Sequence, residues 1–122
     1  MNKAITLQVV CPHCHQSLME EKIKIKGLAS VHLSVSTEGG EKGDTYLCSA
    51  YECYDHHTDV KVDEGEITAL CCPHCGRELL TKETCQVCGA PMAELGLDGG
   101  GFIRICSRKG CFNHFLSNND EE

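Results

Sequence analysis

Ten of the chain's eleven cysteines come in close pairs. Cys11-Pro-His-Cys14 and Cys72-Pro-His-Cys75 repeat one another, and Cys85-Gln-Val-Cys88 has the same spacing. Cys48/Cys53 and Cys106/Cys111 are wider pairs, each enclosing four residues. Two thiolates with two residues between them can grip one tetrahedral metal ion from a single tight turn, and a second such turn completes a four-sulfur site. Catalytic zinc needs an open position beside three protein ligands. Paired thiolates at this density point instead to closed, structural sites.

Cys85, Cys88, Cys106 and Cys111 are the expected second-half site. Seventeen residues separate the two pairs, the length of a β-hairpin that returns its ends to one place. Gly89 and Gly110 stand where such turns need a positive φ. The other pairs admit two schemes. In one, Cys11 and Cys14 join Cys72 and Cys75, because the two turns are identical and each follows a similar strand end. Alternatively Cys11, Cys14, Cys48 and Cys53 form one site, leaving Cys72 and Cys75 to pair with Cys85 and Cys88 or to compete with them. Glu52 stands where Gly110 does, which makes the 48–53 turn less fit to cradle sulfur. Without metal, Cys48 and Cys53 read as two small apolar residues. Cys71 aligns with Val10 and reads as an apolar position. His13 and His74 lie inside knuckles and face solvent. His56 and His114, each three residues after a cysteine, are candidate fourth ligands or hydrogen-bond donors to a thiolate. Tyr54 and Phe112 are expected to cover the metal sulfurs.

The elements that must position these thiols are strands. An internal repeat matches Val9–Cys14 and Leu18 to Leu70–Cys75 and Leu79, and Cys48–His56 to Cys106–His114. Strands are expected at Ile5–Val10, Lys22–Lys26, Val31–Val35, Thr45–Cys48, Asp59–Val62 and Glu66–Cys71, with a loop over Glu38–Asp44. Met92–Leu97, the turn Asp98–Gly101 and Phe102–Cys106 read as a hairpin. A short helical turn is expected at Arg77–Lys82. The fold class is small, all-β and metal-stabilised, with tandem zinc-ribbon-like units built on β-hairpins. The expected division is a ribbon-like unit at 1–71, whose knuckle may share a metal with Cys72 and Cys75, a ribbon at 72–116, and an acidic tail at 117–122.

Composition bounds the rest. The 122 residues include no Trp, three Tyr and three Phe, a thin apolar supply for a core. Domains this small commonly fold on disulfides or metal. The first fifteen residues lack the apolar segment of a signal peptide, and no run is long enough to span a membrane. The expectation is a cytoplasmic protein with no membrane contact, where such pairs bind metal rather than form a disulfide framework. The net charge of -7 opposes binding to a phosphate backbone.

The stretch from Cys72 to Leu116 resembles the zinc-ribbon families. Cys72-Pro-His-Cys75-Gly76 and Cys85-Gln-Val-Cys88-Gly89 resemble rubredoxin knuckles, where the same geometry holds redox-active iron. The resemblance implies structural metal and a docking surface. Two Zn2+ per chain are expected, with iron as the alternative. No Ser-His-Asp set, phosphate loop or paired carboxylates appear. The function expected is that of a non-catalytic, zinc-binding adaptor or accessory subunit working through a protein partner. The alternatives are a rubredoxin-like electron carrier and a nucleic-acid-binding ribbon using Arg77, Arg104, Arg108 and Lys109.

Overall fold

The computed structural model describes residues 6–50, 53 and 55–111, together with the backbone of 114–117. They form ten strands in two antiparallel sheets, with no helix among the described residues. The first half holds β1 (Val9–Val10), β2 (Met19–Ile25), β3 (Leu28–Ser36), β4 (Lys42–Leu47) and β5 (His56–Thr58). The second holds β6 (Ala69–Cys71), β7 (Leu80–Thr84), β8 (Pro91–Leu97), β9 (Phe102–Cys106) and β10 (His114–Ser117).

Alternation of apolar and polar residues sets the faces. In β3, Val31, Leu33 and Val35 point to the core while His32 and Ser34 stay half-exposed, the period-two pattern of a half-buried strand. Ala93 and Leu95 do the same for β8, while Met92 is buried on its other face. The sheets enclose one core that includes Val9, Leu18, Leu33, Leu70, Leu79, Leu95 and Ile103.

The halves are intertwined. β3 pairs on one edge with β4 and on the other with β2 and then β6. β8 pairs on one edge with β9 and on the other with β7 and then β1. Each half therefore lends its first strand to the sheet of the other, and the sheets do not divide at residue 71. The register is equivalent on both sides: Val9 faces Leu97 and Val10 faces Gly96, as Leu70 faces Val35 and Cys71 faces Ser34. Hydrogen bonds repeat as well. Leu18 N–H donates to Val9 O and Leu79 N–H to Leu70 O, both at 2.8 Å. The bridges Thr6–Ala50 and Ile67–Arg108 are counterparts. The two halves are related by an approximate two-fold axis.

Several strand expectations need correction. Leu80–Thr84 is extended, not a helical turn, because Leu80 and Thr84 pair with Ala93 and Pro91 of β8. The strand expected at Asp59–Val62 lies earlier, at His56–Thr58, where Thr58 Oγ1 meets Thr45 Oγ1 at 2.7 Å. β10 was not anticipated; it continues the sheet beyond β9.

Candidate metal centres

Each x2 knuckle is built the same way. In the first, the N–H groups of His13 and Cys14 point at Cys11 Sγ, 3.3 and 3.4 Å away. His74 and Cys75 do so to Cys72 Sγ, and Val87 and Cys88 to Cys85 Sγ, at the same distances. Amide donors aimed at a sulfur favour its thiolate form, which is the metal-binding form. The knuckle closes with His15 N–H donating to Cys11 O and Gly76 N–H to Cys72 O. Both closing residues have positive φ, 65° at His15 and 78° at Gly76, a conformation easy for glycine and strained for histidine.

β1 and β6 deliver the first two knuckles to one place. The sulfurs of Cys11, Cys14, Cys72 and Cys75 lie within 4.8 Å of one another. Cys11 Sγ is 3.8 Å from Cys75 Sγ, and Cys14 Sγ is 3.8 Å from Cys72 Sγ. That symmetric pattern places the cluster on the axis relating the halves. Of the two pairing schemes, the geometry brings together the one that joins the identical turns. His74 Nε2 donates to Ser17 O at 3.1 Å, a further link between the knuckles. Cys11 and Cys72 are sealed from solvent, whereas Cys75 is exposed.

The second cluster, Cys85, Cys88, Cys106 and Cys111, meets the same 4.8 Å criterion. Its cross-distances are 3.7 Å for Cys85–Cys111 and 3.4 Å for Cys88–Cys106. The β8–β9 hairpin joins the two pairs, and Gly110, at φ 93°, turns the chain before Cys111. Ser107 Oγ donates to Pro91 O at 2.6 Å, and its counterpart Ser49 Oγ donates to Ala29 O at 2.6 Å. These buried serines anchor the Cys-Ser turn of each half. The repeated Cys-Ser dipeptide is the mark they leave in the sequence.

Both clusters fit a tetrahedral metal. Sulfur ligands at about 2.3 Å place the corners of a tetrahedron about 3.8 Å apart, close to the distances found. Within each cluster the thiols oppose one another's ionisation. Burial raises the Cys11 thiol, but the amides of Cys14 and His13 and the thiols of Cys72 and Cys14 outweigh it and bring it to about 7. Burial, aided by the thiols of Cys11 and Cys75, pushes Cys72 up to about 12 despite the amides of Cys75 and His74. In the second cluster, burial drives Cys106 up, aided by Cys88 and Cys111, while the Ala90 amide and Arg108 side chain draw Cys88 down. One thiolate raises the cost of the next, and a bound dication removes that conflict.

The remaining candidates lie elsewhere. Cys48 and Cys53 belong to neither cluster and are joined to each other as a disulfide. They line a cavity of about 610 Å3 between the halves, together with Leu7, Leu47, Ile105 and His56. His56 joins neither cluster. His114 sits in β10 with its backbone opposite Ile105. Cys71 is half-buried like Val10, and burial, with Glu78 nearby, raises its thiol. His13 and His74 are exposed. Tyr54, Phe112, Glu52 and residues 118–122 lie outside the described residues.

No known family, curated protein or solved structure matches the chain. What the chain carries is thus stated by its own geometry: an all-β fold with two tetra-cysteine clusters, each able to hold a metal ion.

Of the four cations that a nucleic-acid-binding ribbon would use, three are engaged within the chain. Arg104 Nε donates to Glu94 at 3.2 Å, Arg108 Nη1 to Gly65 O at 2.9 Å, and Lys109 Nζ to Val62 O at 2.9 Å. Arg77 is exposed.

Proposed function

We propose that the chain is a non-catalytic, zinc-binding adaptor or accessory subunit related in kind to the zinc ribbons. The observation that carries this reading is the pair of clusters in which all four corners are cysteine sulfurs. A site with four protein thiolates leaves no position for a substrate or an activated water. Its contribution is to folding, and the cluster of Cys11, Cys14, Cys72 and Cys75 would fasten the two intertwined halves. Zinc is the metal favoured for closed tetrahedral sulfur sites without redox work, and iron is the competing occupant. The acidic charge and the internal pairing of Arg104, Arg108 and Lys109 favour a protein partner over nucleic acid.

Two measurements test the reading. Elemental analysis of protein purified without added metal is expected to give two zinc atoms per chain; a visible sulfur-to-iron charge-transfer band would replace zinc with iron and restore electron transfer. Cross-linking of the tagged protein in its native cells, followed by size-exclusion chromatography, is expected to yield a defined protein complex. A chain that runs alone under both conditions would end the adaptor reading.

A further inference from the structure

The outer face of the β2–β5 sheet carries a row of rings. His32 of β3 lies opposite Tyr46 of β4, which lies opposite His57 of β5. The His32 and Tyr46 centroids are 4.8 Å apart with planes 17° from parallel; Tyr46 and His57 follow at 6.2 Å and 23°. Carboxylates flank this row. Asp44 lies two residues before Tyr46 on the same face and meets His32 Nε2 at 2.8 Å. Asp59 accepts the Asp44 N–H at 2.8 Å. Glu20 of β2 stands opposite Ser30, on the face that His32 shares. Their charge is felt at the centre of the row: beyond its own desolvation, Asp44, Asp59 and Glu20 all raise the Tyr46 hydroxyl. Among the residues of β3 and β4, whose pairing fixes their faces, the cation on this one is Lys42, opposite Ser36 at the far end of β4.

The other half shows what such a face holds when complete. Through the shared register, His32 and Tyr46 correspond to Glu94 and Arg104, and Asp44 corresponds to Phe102. There the Arg104 guanidinium lies 4.6 Å from the Phe102 ring centroid and against the Glu94 carboxylate. Ring, carboxylate and guanidinium come from one chain. On the β2–β5 sheet the rings and carboxylates are present, and no arginine belongs to this half at all.

We propose that this face docks an arginine-bearing basic segment of a protein partner, whose guanidinium stacks on the Tyr46–His57 row and pairs with Asp44 or Glu20. A planar guanidinium both stacks on rings and bridges carboxylates, which an ammonium does less well. A nucleic acid could use the rings, but its phosphates would meet the carboxylates. The proposal rests on the adaptor reading and gives it a surface and a partner chemistry.

The test is a titration of the full-length metal-bound protein with a fluorescein-labelled Arg-Gly repeat peptide at low ionic strength, beside a Lys-Gly peptide of equal charge and a labelled single-stranded RNA. The arginine peptide should bind most tightly. Tyr46→Arg, which gives this sheet its own guanidinium as the other sheet has, should weaken binding roughly tenfold or more. His57→Ala, at an exposed position, should weaken it less, and circular dichroism with metal content should show both variants folded. Equal binding of the lysine peptide, binding indifferent to both substitutions, tighter binding of RNA, or no binding would each overturn the proposal. A partner captured from cells that stays bound to Tyr46→Arg would refute this face while leaving the adaptor reading intact. Peptide binding that behaves as expected, with no partner found in cells, would do the reverse.

Discussion

The same corner of each half is fastened by different chemistry. In the second half, Cys106 and Cys111 face Cys85 and Cys88, and four sulfurs close a metal site. In the first half, Cys48 and Cys53 occupy the equivalent turn, but the opposing knuckle is missing. In its place Lys26 and Gly27, with φ of 55° and 79°, make a tight two-residue turn between Ile25 and Leu28. Cys48 and Cys53 then bond to each other, and Lys26 Nζ reaches Asp55 at 3.3 Å across the gap. The ion pair is well exposed at 62% and 59% and adds little by itself. A four-ligand site thus needs both knuckles, and a half that loses one keeps only local links. The shared cluster shows the opposite solution, in which each half contributes a single knuckle and neither is complete alone.

This contrast predicts a ranking of effects. Cys72→Ser strikes the shared cluster and should unfold both sheets. Structural zinc contributes on the order of 10 kcal/mol or more, comparable to the whole stability of a small domain. Amide exchange should show protection lost in β3 and β8 together; loss confined to one sheet would mean that the halves stand independently. Cys88→Ser should lower the metal content from two atoms to one and loosen the β7–β9 end while β1 and β6 keep their protection. Retention of two atoms would contradict the four-sulfur site. Cys48→Ser should leave two atoms in place and cost about 2 kcal/mol in chemical denaturation, the loop-entropy value for so short a closure. A lost metal atom would show that this pair does ligate.

Two smaller effects sharpen the comparison. His15→Gly gives the first knuckle the residue that the second has in Gly76, and should stabilise the protein by about 1 kcal/mol; destabilisation would mean that the imidazole itself contributes. Glu66, on the segment joining the halves, accepts the N–H groups of Glu38 and Asp63, which lower its carboxyl. A depressed folded value gives stability that is present above the ordinary 4.5 and lost as pH falls through the lowered value. Glu66→Gln should therefore flatten the acid limb of a stability-against-pH curve, and an unchanged limb would remove this role.

The thiol chemistry was largely legible because a knuckle is a local object: two cysteines, a tight turn and a following residue that accepts positive φ. The hairpin at Met92–Leu97 and Phe102–Cys106 was legible for the same reason, through its alternation and its glycine turn. Which knuckles meet was not. The identical turns and Glu52 favour Cys72 and Cys75 over Cys48 and Cys53 as partners of Cys11 and Cys14 without deciding it, and the choice is made by β1 and β6 crossing to opposite sheets, a long-range pairing that leaves no mark in a short window. Arg77–Lys82 reads as a helical turn from its own residues, yet the edge of β8 beside Ala93 and Pro91 supplies the pairing that makes Leu80–Thr84 a strand. The fate of Cys48 and Cys53 depended on the absence of a partner knuckle at Lys26-Gly27, a comparison available only once the two halves were aligned in space.

The exchanged first strands also set an order of events during synthesis. When His56–Thr58 emerges from the ribosome, β3 still waits for Ala69–Cys71 on its open edge, and Val9–Val10 has no sheet to join until Pro91–Leu97 has been made. Cys11 and Cys14 meet their partner turn only once Cys72 and Cys75 have been made, so any ion held by the shared cluster can be enclosed only after more than half of the chain has been translated.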